Sequence, residues 1–587
     1  VFLLALSLTF VGKTMSGAYM NSMYTQIEKQ FNIPASLVGI INGSFEIGNL
    51  LLIAFVSYFG AKLHRPRIIA LGCTILSFGC LLISLPHFLF GRYHIESSIS
   101  QQENFSVMPL CLVNASLPTD EPSTECEKEP GSLLWIFVMV GNIVRGMGET
   151  PIMPLGISYL EDFAKAENSP FYLACLHTAT VIGPFLGLLL ASFCAELFVD
   201  VGSVGADDIT ITATDARWVG AWWLGILICA LLNLLVGIPF WFLPKSLVKE
   251  GETNEPEETS EKSVVPHTEQ WVILFLKHHT NSWHYFIPDF IPFLKALFRN
   301  PVYMLFICIT VLQFSAFDGM ISFMPKYLEQ QFGKSASDAI FLIGVYNLPV
   351  LCVGYFFGGL FMKKFKINLY QAANIAYWVS LLEYLLYFAA YWTVCDTSPV
   401  AGLTVSYEGI EQVSYAENTL LAGCNRDCDC LLKIWDPVCG NNGITYVSPC
   451  LAGCKSSRGT GKSVVFENCT CVEASGFSSQ NVSAILGQCA GDANCDKMLH
   501  YFLILSLVCS FIFSLAAMPG YMVLIRSLKP EEKSFGVGIH GLASRVFAGI
   551  PSPIYFGALI DTTCLKWGTM TCGGEGACRI YDIVTYR

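Results

Sequence analysis

An all-α polytopic membrane protein in two helical halves, with a small disulfide-rich domain on one side of the bilayer, is the architecture this sequence predicts. Three observations carry the prediction. The first is composition: of 587 residues, 53% are hydrophobic and only 14% charged, with a mean hydropathy of +0.52. Those values exclude a soluble globular protein. The second is a series of apolar runs near the ~20 residues that cross a bilayer as helix. The third is the distribution of the 24 cysteines, which segregate by side. The net charge of -12 sits mostly in loops, and no basic cluster looks built for nucleic acid.

The runs occupy residues 1–24, 34–59, 67–91, 133–160, 170–199, 218–243, 302–327, 338–362, 369–393, 499–526 and 536–560, numbered below as spans one to eleven. Several contain Gly and Pro, which membrane helices tolerate when neighbours satisfy the freed backbone. The first run has no basic n-region and no cleavage site, and Lys13 interrupts its core. It therefore reads as the first span of a chain lacking its cytoplasmic tail, not as a signal peptide. Basic residues mark the cytoplasmic side: Lys62, His64, Arg65 and Arg67 after span two, Lys363, Lys364 and Lys366 after span eight, and Arg526, Lys529 and Lys533 after span ten. Residues 244–301 form a long cytoplasmic linker between an N-terminal half, 1–243, and a C-terminal half that starts with spans 302–393. An outer loop, 394–498, separates these from the last two spans in 499–587. Eleven spans leave the chain end outside, so a twelfth is expected beyond Arg587.

Cysteine and glycan signals agree with this topology. Eight cysteines lie within spans: Cys73, Cys80, Cys175, Cys194, Cys229, Cys308, Cys352 and Cys509. The other sixteen fall in loops that the charge rule places outside, as expected for disulfides formed in an oxidising compartment. The acceptor sequons at Asn104, Asn114, Asn468 and Asn481 are also outside.

Ionisable residues inside spans are costly and usually face the bundle interior. Lys13 lies mid-span one, Glu46 mid-span two, Arg545 mid-span eleven and Glu383 in span nine; His87 is near the outer end of span three and His177 in the inner half of span five. Arg145 and Glu149 are one turn apart in span four and can pair on one helix face, as a gating or structural ion pair or as a ligand contact. Lys13 and Arg545 have no carboxylate one turn away and come from opposite halves. Two such cations near the midplane suit an anion in a central cavity; pairing with a distant carboxylate such as Glu46 or Glu383 is the competing use. His87 has an unperturbed pKa suited to a physiological switch. Gly183 and Gly187, Gly354, Gly358 and Gly359, and Gly536 and Gly538 mark close helix contacts.

The outer loop holds Cys424, Cys428, Cys430, Cys439, Cys450, Cys454, Cys469 and Cys471 as its core. The spacing, with Pro437, Val438, Cys439, Gly440 and Tyr446, resembles a Kazal module over about 424–471. A domain this small buries too little core unaided, so disulfides are expected to stabilise it; their connectivity is open. Zinc is the competing use of clustered cysteines, but the outside location and the lack of paired histidines argue against a metal. A structural cap, or an aid to folding and trafficking, is favoured over protease inhibition, which would rest on fold analogy alone.

The stretch Asp215-Ala216-Arg217-Trp218-Val219-Gly220-Ala221-Trp222-Trp223-Leu224-Gly225-Ile226-Leu227 opens span six. It resembles the signature of the organic anion transporting polypeptides, Asp-x-Arg-Trp-(Ile/Val)-Gly-Ala-Trp-Trp-x-Gly-(Phe/Leu)-Leu, from which Ile226 departs conservatively. Glu46-Ile47-Gly48-Asn49, Gly148-Glu149-Thr150-Pro151, Met324-Pro325-Lys326-Tyr327 and Glu531-Glu532-Lys533-Ser534 extend the resemblance along the chain, closest to subfamily 1A. The run Trp271–His279 departs from it and is too short to span.

The resemblance implies a major facilitator-type two-half bundle, with eleven of twelve expected spans present. It implies sodium-independent, alternating-access uptake at the plasma membrane, with the basolateral domain one option. Cargo would be amphipathic organic anions such as bile salts, steroid conjugates, thyroid hormones, prostaglandins and anionic drugs, exchanged for bicarbonate or another counter-anion. It also implies that Lys13 and Arg545 serve transport, and that a His87–Glu46 neighbourhood is linked to pH response and bicarbonate. The alternatives are an anion channel and a non-transporting receptor or protease-inhibitor scaffold. No nucleotide loop, HExxH or nucleophile–base set is found, so neither enzymatic activity nor a cofactor is expected. Trp218 and Trp222, one turn apart, are expected to share a face and Trp223 to take an adjoining one, anchoring the outer end of span six.

Overall fold

A computed structural model describes residues 2–59, 64–91, 93, 100–102, 105–107, 110–111, 133–163, 169–203, 211–213, 215, 217–244, 295, 298–365, 368–395, 399–408, 420–459, 464–474, 482–489, 491, 494–527, 533–569 and 575–586. Each apolar run becomes helix. Spans one to three are Phe2–Phe31, Ala35–Phe59 and Arg65–Phe90. Spans five to ten are Ser169–Glu196, Trp222–Phe242, Pro301–Phe332, Ala336–Phe365, Leu369–Ala390 and Asn494–Ser527.

Two spans are broken. Span four is Trp135–Glu149 followed by Ile152–Phe163, interrupted at Pro151, whose ring nitrogen has no proton to donate. Span eleven runs Lys533–Ser544, widens into a π turn over Arg545–Gly549, and resumes as Pro551–Asp561. In that turn Ile550 N donates to Arg545 O at 3.0 Å, and a turn of this kind often marks a functional position. Among the described residues, seven helices are by themselves long and apolar enough to cross a membrane. The broken spans fall short in length, and spans one and nine carry polar residues such as Lys13 and Glu383 on their inward faces.

Within the N-terminal half, span one packs on span five, and span three on spans four and six; in the C-terminal half, span ten packs on spans eight and nine. The halves meet through span two against the last part of span eleven, and span five against span eight. An offset of six spans converts one contact into the other, the relation expected of two repeated six-helix halves.

Among the described residues, the hydrogen bonds between halves run from the bilayer centre outward. Glu46 meets Arg545 at 2.6 Å, Asn42 donates to Ser322 at 2.9 Å, and Ser192 donates to Ser337 O at 3.0 Å. At the outer end, Lys29 meets Glu329 and Lys326 meets Glu28, both at 2.5 Å. The outer mouth is therefore closed.

The outer loops fold on disulfides. Strands Thr445–Tyr446, Val438–Gly440, Ser483–Leu486, Val465–Glu467 and Ser456–Arg458 form one antiparallel sheet in that order. Within the Kazal-like module the pairs are Cys424–Cys471, Cys430–Cys450 and Cys454–Cys469. Cys439 pairs with Cys489 beyond the module, and Cys428 reaches Cys111 in the loop between spans three and four. Cys395–Cys495 ties the ends of spans nine and ten, and Cys564–Cys578 closes a hairpin of Cys564–Thr569 with Glu575–Tyr581. Every free cysteine among the described residues lies in a span: Cys73, Cys80, Cys194, Cys229, Cys308, Cys352 and Cys509. Asn468 is exposed on the module; Asn104, Asn114, Asn481 and the atypical run 271–279 lie outside the described residues.

Candidate ligand cavity

Between the halves lies a cavity of about 790 Å³. Its walls are largely apolar, with Phe45, Phe314, Phe317 and Phe513 among them, and Tyr384 and Tyr387 add polar tips. Lys13, Glu46, Arg145, Glu149, Asp318 and Glu383 bring charge into it from spans one, two, four, seven and nine. That combination of apolar wall and few polar groups suits a small amphipathic molecule.

The two midplane cations are paired, the competing use over free charges; Arg545 takes Glu46, one of the two carboxylates named for it, and Lys13 takes Glu149, which was not among them. Lys13 Nζ lies 3.1 Å from Glu149 of span four. Arg545 Nη1 donates to Glu46 of span two at 2.6 Å, across the boundary between halves. The reason is desolvation: an isolated charge at this depth costs several kcal/mol, roughly, and a carboxylate on the facing helix offsets it. The one-turn pairing of Arg145 with Glu149 is corrected. With Glu149 on Lys13, Arg145 turns the other way; its Nε donates to Asn142 Oδ1 at 3.1 Å and its guanidinium lies 4.3 Å from the Phe45 ring centroid. Asn142 in turn donates to Tyr24 Oη and Ile41 O, both at 2.8 Å.

His87 does not line the cavity. It stacks on Trp223, with centroids 4.6 Å apart and an 8° interplanar angle, at the outer end of span three. Its ring contacts are with Trp223 and Phe88, and Glu46 is bonded to Arg545 instead.

The motif Asp215–Leu227 works at the outer surface. The helix starts at Trp222, so Trp218 precedes it and does not share its face, contrary to the expectation; Gly220 pairs with Phe198 in an isolated bridge that makes this turn. Trp218 Nε1 donates to Ala195 O at 2.9 Å, Trp223 Nε1 to Val199 O at 2.8 Å, and Trp222 Nε1 to Gln30 Oε1. Gly220 is needed because a Cβ there would meet the Ala195 backbone at 2.6 Å. Arg217, only 2% exposed, donates to Asp215 at 2.9 Å and to Asp436 of the Kazal-like domain at 2.8 Å. Burial alone would lower its pKa; the two carboxylates outweigh burial and hold it above the ordinary guanidinium value. The motif thus ties the outer domain to the N-terminal half.

Sequence reasoning missed Asp318 as a cavity residue and the outer pairs Glu28–Lys326 and Lys29–Glu329. Their signal was charge at the outer ends of spans one and seven, which reads as ordinary solvated helix ends until the halves are brought together.

A family model described as Organic Anion Transporter Polypeptide (OATP) family matches residues 1–586. The human solute carrier organic anion transporter family member 1A2 is 60% identical, across 100% of this chain and 86% of its own length. Mouse family member 1A4 is 56% identical with the same coverage, and rat member 1A1 is 54% identical. A crystal structure of a bacterial homolog of the human lysosomal transporter Spinster, inward-facing and unoccupied, matches 96% of this chain and 82% of its own at 13% identity and TM-score 0.53. That likeness shows the two-half major facilitator-type fold. The chain is a multi-pass plasma-membrane protein and belongs to the OATP family.

Proposed function

We propose that this chain is a sodium-independent uptake carrier for amphipathic organic anions, working by alternating access. The observation that carries the proposal is the cavity of about 790 Å³ at the junction of the halves, aromatic-walled, with Lys13 on one half at its wall and Arg545 on the other half bonded to the lining residue Glu46. Each cation is held by a carboxylate from a neighbouring helix, which removes the cost of an isolated buried charge and keeps the cation in place for an incoming anion. The printed names of the relatives support the cargo class. Bile salts, steroid sulfates, thyroid hormones, prostaglandins and anionic drugs fit an apolar body with one anionic group. Bicarbonate or another intracellular anion is the proposed exchange partner, because returning with an anion spares the carrier an empty, charged cavity.

The test is radiolabelled uptake into cells expressing the chain, using a bile salt, a steroid sulfate and thyroxine in sodium and sodium-free media. Saturable uptake, unchanged without sodium and faster when the cells are preloaded with an organic anion, is expected. Rapid flux without counter-transport would replace the carrier with a channel.

A further inference from the structure

We infer that the outer strand pair Cys564–Thr569 and Glu575–Tyr581, with the short helix Ile583–Tyr586 that follows it, is a latch on the closed outer mouth, touching both halves and releasing before the cavity opens outward. Its consequence for transport rests on the carrier reading above, whereas its geometry does not.

One side of the hairpin is docked on the N-terminal half. Ala577 N donates to Asn32 Oδ1 at 2.6 Å. Asn32 sits in the turn between spans one and two with φ +49°, a left-handed conformation that few residues other than Gly and Asn adopt. Its side chain is held against Gly568 and Gly576, where any Cβ would overlap it. The other side is docked on the C-terminal half. The Tyr581 ring lies 4.8 Å from Lys326 Nζ, and Tyr586 stacks on Tyr327 at 6.0 Å. Tyr581 is 2% exposed, so the hairpin covers the Glu28–Lys326 pair that closes the mouth.

The hairpin is also moored to the outer domain. Lys566 Nζ donates to Leu432 O at 2.7 Å, and Ile580 packs with Trp435 and Leu403. That domain is fixed to the N-terminal half by Arg217–Asp436 and to the loop between spans three and four by Cys111–Cys428. Outward opening separates Glu28 from Lys326, and therefore Asn32 from Lys326. A disulfide-closed hairpin that continues span eleven of the C-terminal half and also grips Asn32 cannot follow both halves, so either its Asn32 contact or its Tyr581 contact with span seven must break. Beneath it, Glu28 Oε2 and both amide atoms of Gln331 are buried with no protein partner. Buried polar atoms in that condition favour hydration once a path opens.

The test places a reporter cysteine, Ala18→Cys, on the cavity wall and measures its labelling by a membrane-impermeant thiol reagent added outside intact cells. Tyr581→Leu removes the cation–π contact on one half, and Asn32→Gly removes the acceptor on the other while accepting the positive φ. Each is expected to raise the labelling rate about tenfold, the factor that one such contact carries. On the purified full chain, both are expected to speed hydrogen exchange of segments 25–33 and 322–332, a readout independent of surface delivery. Unchanged exchange and labelling in both variants overturns the latch. Neither measurement uses cargo, so a latch that fails beside normal uptake leaves the carrier reading intact, and the reverse holds.

Discussion

Lys13 and Arg545 each meet a carboxylate from a helix that is distant in sequence, Glu149 and Glu46 respectively. A lone mutation at either position therefore has two effects: it removes a cation from the cavity and strands a buried carboxylate. Arg545→Met is expected to lower both abundance and uptake of a steroid sulfate. Adding Glu46→Gln restores abundance, because the stranded charge is gone, but leaves uptake per surface molecule down about tenfold or more. Uptake restored along with abundance would show that Arg545 is structural only, as measured by surface biotinylation and radiolabelled uptake in parallel. For His87, protonation would set a cation over the Trp223 ring, a favourable arrangement. Uptake at about pH 6 relative to about pH 7.5, a window that brackets the histidine range, should lose its pH response in His87→Gln. An intact response would remove His87 as the switch. These residues were only partly legible in sequence. Composition and position picked out the intramembrane charges and offered Glu46 as a distant partner, but local spacing could not choose among partners and pointed Glu149 to Arg145 instead of Lys13.

Helices were far more legible. Apolar runs of the right length predicted the helical character of all eleven spans, because in lipid the backbone must satisfy itself locally. What the runs did not show is where helices break. Pro151 interrupts span four and the π turn at Arg545–Gly549 interrupts span eleven, and these are the places that aim Glu149 and Arg545. At this scale the signature motif is an anchor between elements. Its residues stood out in the sequence, but the partner, Asp436, lies more than two hundred residues downstream, and no pattern announced it. Arg217→Ala leaves Asp215 and Asp436 buried without their cation, at a cost of about 3 kcal/mol. The expected outcome is a lower melting temperature and less chain at the surface, with uptake per surface molecule within about twofold of the parent, since stability and delivery respond before transport does. Uptake lost at normal stability and abundance would place Arg217 in the transport path instead.

The molecule as a whole is two helical halves, six spans in the first and five in the second, closed at the outer end and enclosing an aromatic cavity at their junction. Charge bias and cysteine segregation predicted which loops lie outside, and fourteen of the sixteen outer cysteines form the seven disulfides described. The closure itself was not legible, since it depends on which of two packings the halves adopt and a sequence serves both. Alternating access requires that the outer contacts, Glu28–Lys326 and Lys29–Glu329, break while the helices stay intact. Removing both pairs with Lys29→Gln and Lys326→Gln should shift the population toward an outward-open state, read as faster labelling of Ala18→Cys from outside; an unchanged rate would mean that the pairs do not hold the mouth. Anion exchange by alternating access is measured most directly by uptake of a radiolabelled steroid sulfate into cells carrying the chain, with and without an unlabelled organic anion loaded inside. Saturable, sodium-independent uptake that accelerates when the inside is loaded is expected. Uptake that is linear in concentration and indifferent to the internal anion would contradict exchange.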